Sequence, residues 1–210
     1  MHHHGHEHHE HEHEHGEPDQ HGNPKDLDAF VAKLEDPARA EWQKPDEVID
    51  ALGVGPEDVV GEIGAGPGFF TLRLARRARH VYAVDAEPRL LSVLRDRLAA
   101  AGVRNVTPVL GLTGHPLLPR GACSAALVVD TLHHFPDMTA YLRELAAAMA
   151  PGGRIAIIDF HKREMPLGPK LEHKVAREEV LLAAEQAGLE RVDELSFLPY
   201  QYFLVLRTRP

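Results

Sequence analysis

Short apolar runs alternate with helical patterns along this chain. The apolar run at 59–63 is short enough to be a buried parallel strand, and three glycines follow it at alternate positions, Gly64, Gly66 and Gly68. The pattern after them predicts a helix from Phe69 to Arg77. Glycine takes up turn conformations that are closed to other residues, and it lets a ligand lie against the backbone. Strand, glycine turn and helix together indicate the opening of a nucleotide-binding α/β unit.

The same alternation continues to the carboxyl terminus. The apolar patterns predict six further strands, at 80–84, 105–110, 125–130, 154–160, 190–198 and 200–208. Amphipathic patterns predict helices between them, at 88–101, 138–149 and 172–187. Because strands alternate with helices, we expect an α/β fold with helices on both faces of a mostly parallel sheet.

A helical lead-in precedes the first strand. One apolar helical face begins at Leu27, and Pro45 suits the first turn of a second helix at 46–52. We expect Trp42 and Gln43 in the linker between these two helices. Trp42 lies either near the ligand crevice or simply between the lead-in and the body of the protein.

A low-complexity tail opens the chain. Residues 1–22 alternate histidine with glutamate, so they offer no core and we expect disorder. Imidazole and carboxylate groups bind ions such as Ni or Zn, and a cloning tag or a solvated leader is the alternative interpretation. The predicted metal ligands are nine histidines: His2, His3, His4, His6, His8, His9, His11, His13 and His15. The expected divisions are a disordered tail at 1–22, an N-terminal helical lid at 23–53 and the main domain at 54–210.

Charge and composition narrow the possible functions. The tail carries −6 of the formal net charge of −9 over 210 residues, which leaves a mildly acidic body without a basic stripe. That balance argues against a nucleic-acid partner. Cys123 is the single cysteine, so no intrachain disulfide is possible. The sequence contains neither an apolar stretch long enough for a bilayer nor a signal-peptide core, so we expect a cytoplasmic protein without a membrane partner. It does not indicate an oligomeric state.

Three motifs carry a family resemblance. The segment E-I-G-A-G-P-G, which starts at Glu62, resembles motif I of the class I S-adenosylmethionine-dependent methyltransferases, commonly E/D-x-G-x-G-x-G. Residues 127–135 resemble the family's fourth-strand segment, and residues 149–159 resemble its P-G-G turn into strand five. The resemblance covers roughly residues 45–208 and implies a Rossmann-like, doubly wound, seven-stranded sheet that ends in an antiparallel pair. The spacing differs from the dinucleotide fingerprint G-x-G-x-x-G, which disfavours an NAD-dependent oxidoreductase.

The resemblance implies S-adenosylmethionine as the cofactor and assigns residues to it. Asp85 matches the acidic ligand of the ribose hydroxyls, a role that its place at the carboxyl end of a predicted strand also favours. Leu112 stands where the family usually has an acidic residue that contacts the adenine amino group, and Asp130 is expected to hold the ammonium group. The full predicted set is Glu62, Gly64, Ala65, Gly66, Gly68, Asp85, Ala86, Leu112 and Asp130.

The predicted reaction is methyl transfer to a small molecule. His134 follows the fourth strand and His161 follows the fifth, and residues at these strand ends face the ligand crevice. Either histidine is a candidate catalytic base near neutral pH. A metalloid acceptor is disfavoured because enzymes of that kind use several cysteines. The alternative is a non-catalytic cofactor-binding or regulatory protein that retains the fold.

Overall fold

Residues 26–209 are described by the structure, which is a computed structural model. Seven strands form one sheet: β1 (Val59–Ile63), β2 (His80–Asp85), β3 (Val106–Leu110), β4 (Cys123–Val129), β5 (Met149–Phe160), β6 (Leu189–Leu195) and β7 (Gln201–Thr208). Across the sheet their order is β3-β2-β1-β4-β5-β7-β6, with β1 to β5 parallel and β7 antiparallel to both of its neighbours. The predicted seven-stranded, mostly parallel sheet is confirmed.

Helices cover both faces of the sheet. They are α1 (Leu27–Leu34), α2 (Ala38–Gln43), α3 (Pro45–Leu52), α4 (Thr71–Leu74), α5 (Pro88–Ala100), α6 (Met138–Ala148) and α7 (Arg177–Gln186), with 3-10 turns at Leu132–His134 and Leu171–His173. Side chains of α6 and α7 pack with one face of β4 and β5, and those of α3 and α4 pack with the other. Strand β1 is buried at all five positions for this reason. Within residues 26–209, every helix is too short or too polar to cross a lipid bilayer.

The segment after the glycines differs from its predicted helix. The prediction of a helix from Phe69 to Arg77 is wrong in length, because α4 is a single turn at Thr71–Leu74. Gly68 has a φ of +103°, outside the helical range. Beyond α4 the chain continues in turns whose hydrogen bonds join residues i and i+3. One of them runs from the N–H of Arg77 to the carbonyl oxygen of Leu74, at 2.9 Å.

Other predicted elements have different bounds. Strand β5 begins at Met149 and not at 154, and β6 ends at Leu195 and not at 198. Trp42 and Gln43 lie on helix α2 and not in a linker, and Lys44, with a φ of +46°, separates α2 from α3. Helix α7 begins at Arg177 and not at 172, because the preceding residues form a 3-10 turn followed by extended backbone at Lys174. The amino group of Lys174 turns back to the carbonyl oxygen of Arg163, at 2.8 Å.

Candidate functional site

The glycine turn lies between β1 and α4, at the carboxyl edge of the sheet. Gly64 and Gly66 have φ values of +75° and +54°, which side-chain-bearing residues rarely adopt. A Cβ atom on Gly64 would lie 2.1 Å from Oγ1 of Thr131, so only glycine fits there. Gly64 is exposed at this edge, whereas Gly66 is buried.

Glu62 lies beneath this turn and contacts the protein interior. Its Oε2 accepts a hydrogen bond of 2.6 Å from the hydroxyl of Thr71, at the start of α4. Burial raises the pKa of Glu62 to about 8, against the opposing effect of the Thr71 hydroxyl. The observed contact shapes the turn from inside, and a direct role for Glu62 in cofactor binding remains a prediction.

Asp85 joins the end of β2 to the glycine turn. Its Oδ2 accepts from the backbone N–H of Gly66 at 2.7 Å, and its Oδ1 accepts from the N–H of Glu87 at 2.9 Å. Burial raises the pKa of Asp85, while these backbone donors lower it. Each carboxylate oxygen has two acceptor positions, so both can also accept from ribose hydroxyls. Ala86, the next residue, is exposed.

Asp130 follows β4 in a left-handed conformation, with a φ of +52°. Its two carboxylate oxygens accept from two side-chain amides, Oδ2 from Gln43 at 2.8 Å and Oδ1 from Gln201 at 2.6 Å. Burial raises the pKa of Asp130 to about 6, whereas the nearby guanidinium of Arg39 and both amides lower it. Strained backbone and a perturbed carboxyl are features that cluster at functional sites.

Unpartnered polar atoms accompany Asp130. Among the described residues, Oε1 of Gln201 and Oδ2 of Asp159 are buried without a hydrogen-bond partner. Burial and the charge of Asp130 raise the pKa of Asp159 to about 8. A buried amide oxygen beside a carboxylate favours a ligand that carries N–H donors. The oxygens of Asp85, Asp130 and Gln201 are thus all placed to accept hydrogen bonds from a ligand that carries O–H and N–H donors.

Leu112 lies in a tight turn after β3. Its backbone exchanges two hydrogen bonds with His115, of 2.9 and 3.1 Å, and its side chain is 58% exposed. The imidazole of His115 points to Glu144 on α6, with 3.3 Å between Nε2 and the carboxylate. The leucine side chain can pack on adenine, but it has no acceptor for a hydrogen bond from the adenine amino group. The role of Leu112 in cofactor binding remains a prediction.

Three histidines meet beyond β4. The rings of His133 and His134 lie 4.0 Å apart, and His173, from the segment after β5, is close enough to lower the pKa of both. Burial is the larger cause, and it lowers the pKa of His133 to about 4. Nδ1 of His133 is buried without a partner, whereas His134 is exposed. Both imidazoles are therefore neutral near pH 7.

His161 lies after β5, beside a cavity of about 380 Å³ that also borders the start of α7. Its ring lies 5.9 Å from the ring of Tyr202, and its backbone N–H donates to the carbonyl of Tyr200 at 3.1 Å. Burial and the charge of Arg163 lower the pKa of His161. The structure gives no contact between His161 and His134, so their shared role in catalysis remains a prediction.

The lead-in consists of α1, α2 and α3, and its first two helices lie over the carboxyl edge of the sheet. Leu34 of α1 would lie 3.5 Å from a Cβ atom on Gly66, and the guanidinium of Arg39 lies 4.3 Å above the ring of Phe69. Farther along, the ring of Trp42 lies 5.6 Å from that of Phe160 and 6.2 Å from that of Tyr200.

Sequence reasoning did not select four of the side chains at this crevice: Arg39, Gln43, Asp159 and Gln201. Nothing in a linear pattern marks a glutamine as buried. The nine histidines predicted to bind metal lie outside the described residues. Within residues 26–209, no group of three His, Cys, Asp or Glu side chains is placed to hold a metal ion.

Several known methyltransferases are similar to this chain. Residues 60–153 match the family model of a methyltransferase domain. The crystal structure of an S-adenosylmethionine-dependent methyltransferase from Aquifex aeolicus superposes with a TM-score of 0.80 at 25% identity, covering 86% of this chain and 97% of that one. The demethylmenaquinone methyltransferase of Tropheryma whipplei is 27% identical over 173 residues, which are 76% of this chain and 70% of that enzyme.

A shorter match has higher identity. The probable ribosomal RNA small subunit methyltransferase A of Methanosarcina mazei is 54% identical over 56 residues, which are 27% of this chain. That match spans only 21% of the length of the Methanosarcina protein. Family model, sheet order and solved structure agree: residues 60–153 match a methyltransferase domain, and over most of its length the chain is similar to an S-adenosylmethionine-dependent methyltransferase of known structure.

Proposed function

We propose that this protein transfers a methyl group from S-adenosylmethionine to a small molecule. The observation that carries the proposal is the pair of acceptor groups at the carboxyl edge: Asp85, bonded to the glycine turn, and Asp130, beside the unpartnered amide oxygen of Gln201. Asp85 holds the ribose, and Asp130 holds the ammonium group. The backbone of the glycine turn borders the cofactor between them, and Leu112 packs near adenine.

A small acceptor suits this chain better than RNA. Histidine and aromatic rings lie near the carboxyl ends of β4 and β5, where His134 follows β4 and Trp42 packs on Phe160 at the end of β5, and the body of the chain is mildly acidic. An RNA enzyme needs basic side chains along the phosphate backbone. The similarity to the demethylmenaquinone enzyme extends over most of both chains, whereas the similarity to the ribosomal RNA enzyme is confined to a short segment. We include no nucleic-acid or membrane partner in the proposal.

The cofactor supplies a methyl group that is already activated by its sulfonium. The protein therefore contributes mainly orientation of the acceptor, and it needs a base only where the acceptor arrives protonated. Desolvation of the ring and the charge of His173 lower the pKa of His134, so its imidazole is neutral near pH 7 and can take a proton. The pKa of His161, beside its cavity, is also lowered, so its imidazole is likewise neutral near pH 7.

Calorimetry of the purified chain against S-adenosylmethionine, S-adenosylhomocysteine and NAD tests the cofactor. We expect the first two to bind and NAD not to bind, and the reverse would overturn the proposal. A screen of hydroxylated and aromatic acceptors with methyl-labelled S-adenosylmethionine then tests the reaction, with His134→Ala and His161→Ala as variants. Cofactor binding without label transfer to any acceptor would favour the alternative, a non-catalytic cofactor-binding protein.

A separate proposal concerns the tail. We propose that the histidines of residues 1–22 bind Ni or Zn with little selectivity, since imidazole and carboxylate groups alternate there. This proposal rests on composition alone.

A further inference from the structure

Two buried glutamines from opposite ends of the fold converge on one carboxylate. Gln43 comes from α2 of the lead-in and Gln201 from the start of β7, and they are 0% and 1% exposed. Each donates its amide N–H to a different oxygen of Asp130, at 2.8 and 2.6 Å. The carboxylate is therefore held on both sides.

The partners of Gln43 determine which way its amide faces. Its Oε1 accepts a hydrogen bond from Nε of Arg39, so its Nε2 must face Asp130. Arg39 is itself held by the carbonyl of Leu34, to which its Nη1 donates at 2.9 Å. The hydrogen bonds thus run from the end of α1 through α2 to the end of β4.

Gln201 holds Asp130 and leaves an acceptor free. Its Nε2 is used by Asp130, whereas its Oε1 is buried without a partner among the described residues. Burying an amide oxygen without a donor is costly, and such an atom calls for an explanation. A ligand with several N–H donors at Asp130 would satisfy it.

We propose that Gln43 and Gln201 are positioning residues that keep the Asp130 carboxylate ionised and directed at the ammonium group of S-adenosylmethionine. This inference rests on the proposed function. Hydrogen bonds to a carboxylate stabilise its charged form, and two of them fix its direction. Because Gln43 belongs to the lead-in, the ammonium site is complete only when α2 is docked on the body.

The pH dependence of binding separates this role from a structural one. The titratable groups that face Asp130 are Arg39 on α2, Asp159 on β5 and Tyr202 on β7. With both amides in place, the pKa of Asp130 is about 6. Removing an amide donor raises that pKa, so the carboxyl is protonated over a wider range. The fall in cofactor affinity on acidification should then move to higher pH.

Gln43→Met and Gln201→Met keep the side-chain volume and remove the donor, and Gln186→Met is the matched control on the exposed end of α7. Calorimetry with S-adenosylmethionine at pH 6 and pH 8 is the measurement. We expect binding to weaken by about tenfold at pH 6 in both variants and less at pH 8, with the control unchanged. In an Asp130→Asn background, the glutamine substitutions should add little, because they act through Asp130.

The outcomes separate the two proposals. Failure of the unmodified protein to bind S-adenosylmethionine would overturn the proposed function. If the unmodified protein binds, then losses that are equal at both pH values, or that add in full to Asp130→Asn, would overturn the positioning role. Thermal unfolding establishes that each variant is folded. Gln201→Met lies outside the lead-in, so it decides the question even where Gln43→Met does not fold.

Discussion

Four desolvated carboxyl groups distinguish the crevice at the residue scale. Their pKa values are all raised, and burial is the largest cause for each of them: Glu62, Asp85, Asp130 and Asp159. Low dielectric disfavours the charged form, so these groups hold protons that exposed acids would release. Protonation is therefore coupled to both folding and ligand binding in this protein.

Glu62→Gln should make the protein less sensitive to high pH. The pKa of Glu62 is about 8 in the folded chain against 4.5 for an ordinary glutamate, so folded protein retains a proton that unfolded chain loses between these values. The ionisation of Glu62 therefore has no effect on the free energy of unfolding below about pH 4.5, and it lowers that free energy as the pH rises to about 8. In urea unfolding, the free energy of unfolding of the variant should exceed that of the unmodified protein by an amount that grows with pH between these values. The growth should be up to about 1.4 kcal/mol per pH unit.

Glu57→Gln is the control for that experiment, because Glu57 is exposed. Its unfolding free energy should run parallel to that of the unmodified protein at all pH values. A Glu62→Gln curve that is also parallel would mean that Glu62 is charged in the folded state.

Asp85→Ala should weaken the binding of S-adenosylmethionine by about 1.5–3 kcal/mol, as expected for hydrogen bonds to a charged group. The ribose hydroxyls lose their acceptors, and the N–H of Gly66 loses its partner. Calorimetry measures the change, and Asp96→Ala, an exposed acid on α5, is the control. An unchanged dissociation constant in folded Asp85→Ala protein would place the ribose elsewhere.

The glycine turn shows at the element scale how conformation and space act separately. Gly64 and Gly152 share a φ of +75°, but a Cβ atom on Gly64 meets Thr131, whereas nothing lies within 4 Å of one on Gly152. The backbone conformation therefore does not explain why Gly64 should tolerate a side chain less well than Gly152. Only the packing of the turn after β4 against the turn after β1 does.

Gly152→Ala should lower the free energy of unfolding by about 1–2 kcal/mol, the cost of a left-handed conformation. Gly64→Ala should lower it further, since Thr131 must also move, and it should weaken cofactor binding. Thermal unfolding and calorimetry of both variants measure these effects. Equal losses of stability in the two variants would show that the contact with Thr131 relaxes freely.

The order of the sheet assembles the site at the scale of the whole molecule. Because β1, β2 and β4 are neighbours and parallel, Glu62, Asp85 and Asp130 all come to one edge although they are far apart in the chain. The lead-in then closes this edge from outside.

Removing residues 1–22 should abolish most binding of Ni or Zn, because the described residues contain no cluster of metal-ligating side chains. In the full chain that binding should weaken as pH falls through about 6.5, since imidazole must be neutral to bind. Thermal stability and affinity for S-adenosylmethionine should not change, because the apolar helical pattern of the chain and the first helix among the described residues both begin at Leu27. A severalfold loss of cofactor affinity on truncation would show that the tail reaches the crevice.

The sequence by itself determined the fold class and the positions of several candidate site residues at strand ends. Apolar periodicity and glycine spacing are local properties, so they predicted the strands, the glycine turn and the place of Asp85 at a strand end. The length of α4 and the start of α7 were wrong, because the turn residues and the segment before α7 bond in ways that periodicity does not encode.

Only the tertiary structure decided the rest. The partners of Asp130 come from α2 and β7, and neither Gln43 nor Gln201 carries a local signal, since burial of an amide depends on what packs around it. The same holds for Glu62, whose carboxyl bonds Thr71 beneath the turn. A periodic pattern records which face of an element is apolar, whereas the polar contacts of a site depend on which elements the folded chain brings together.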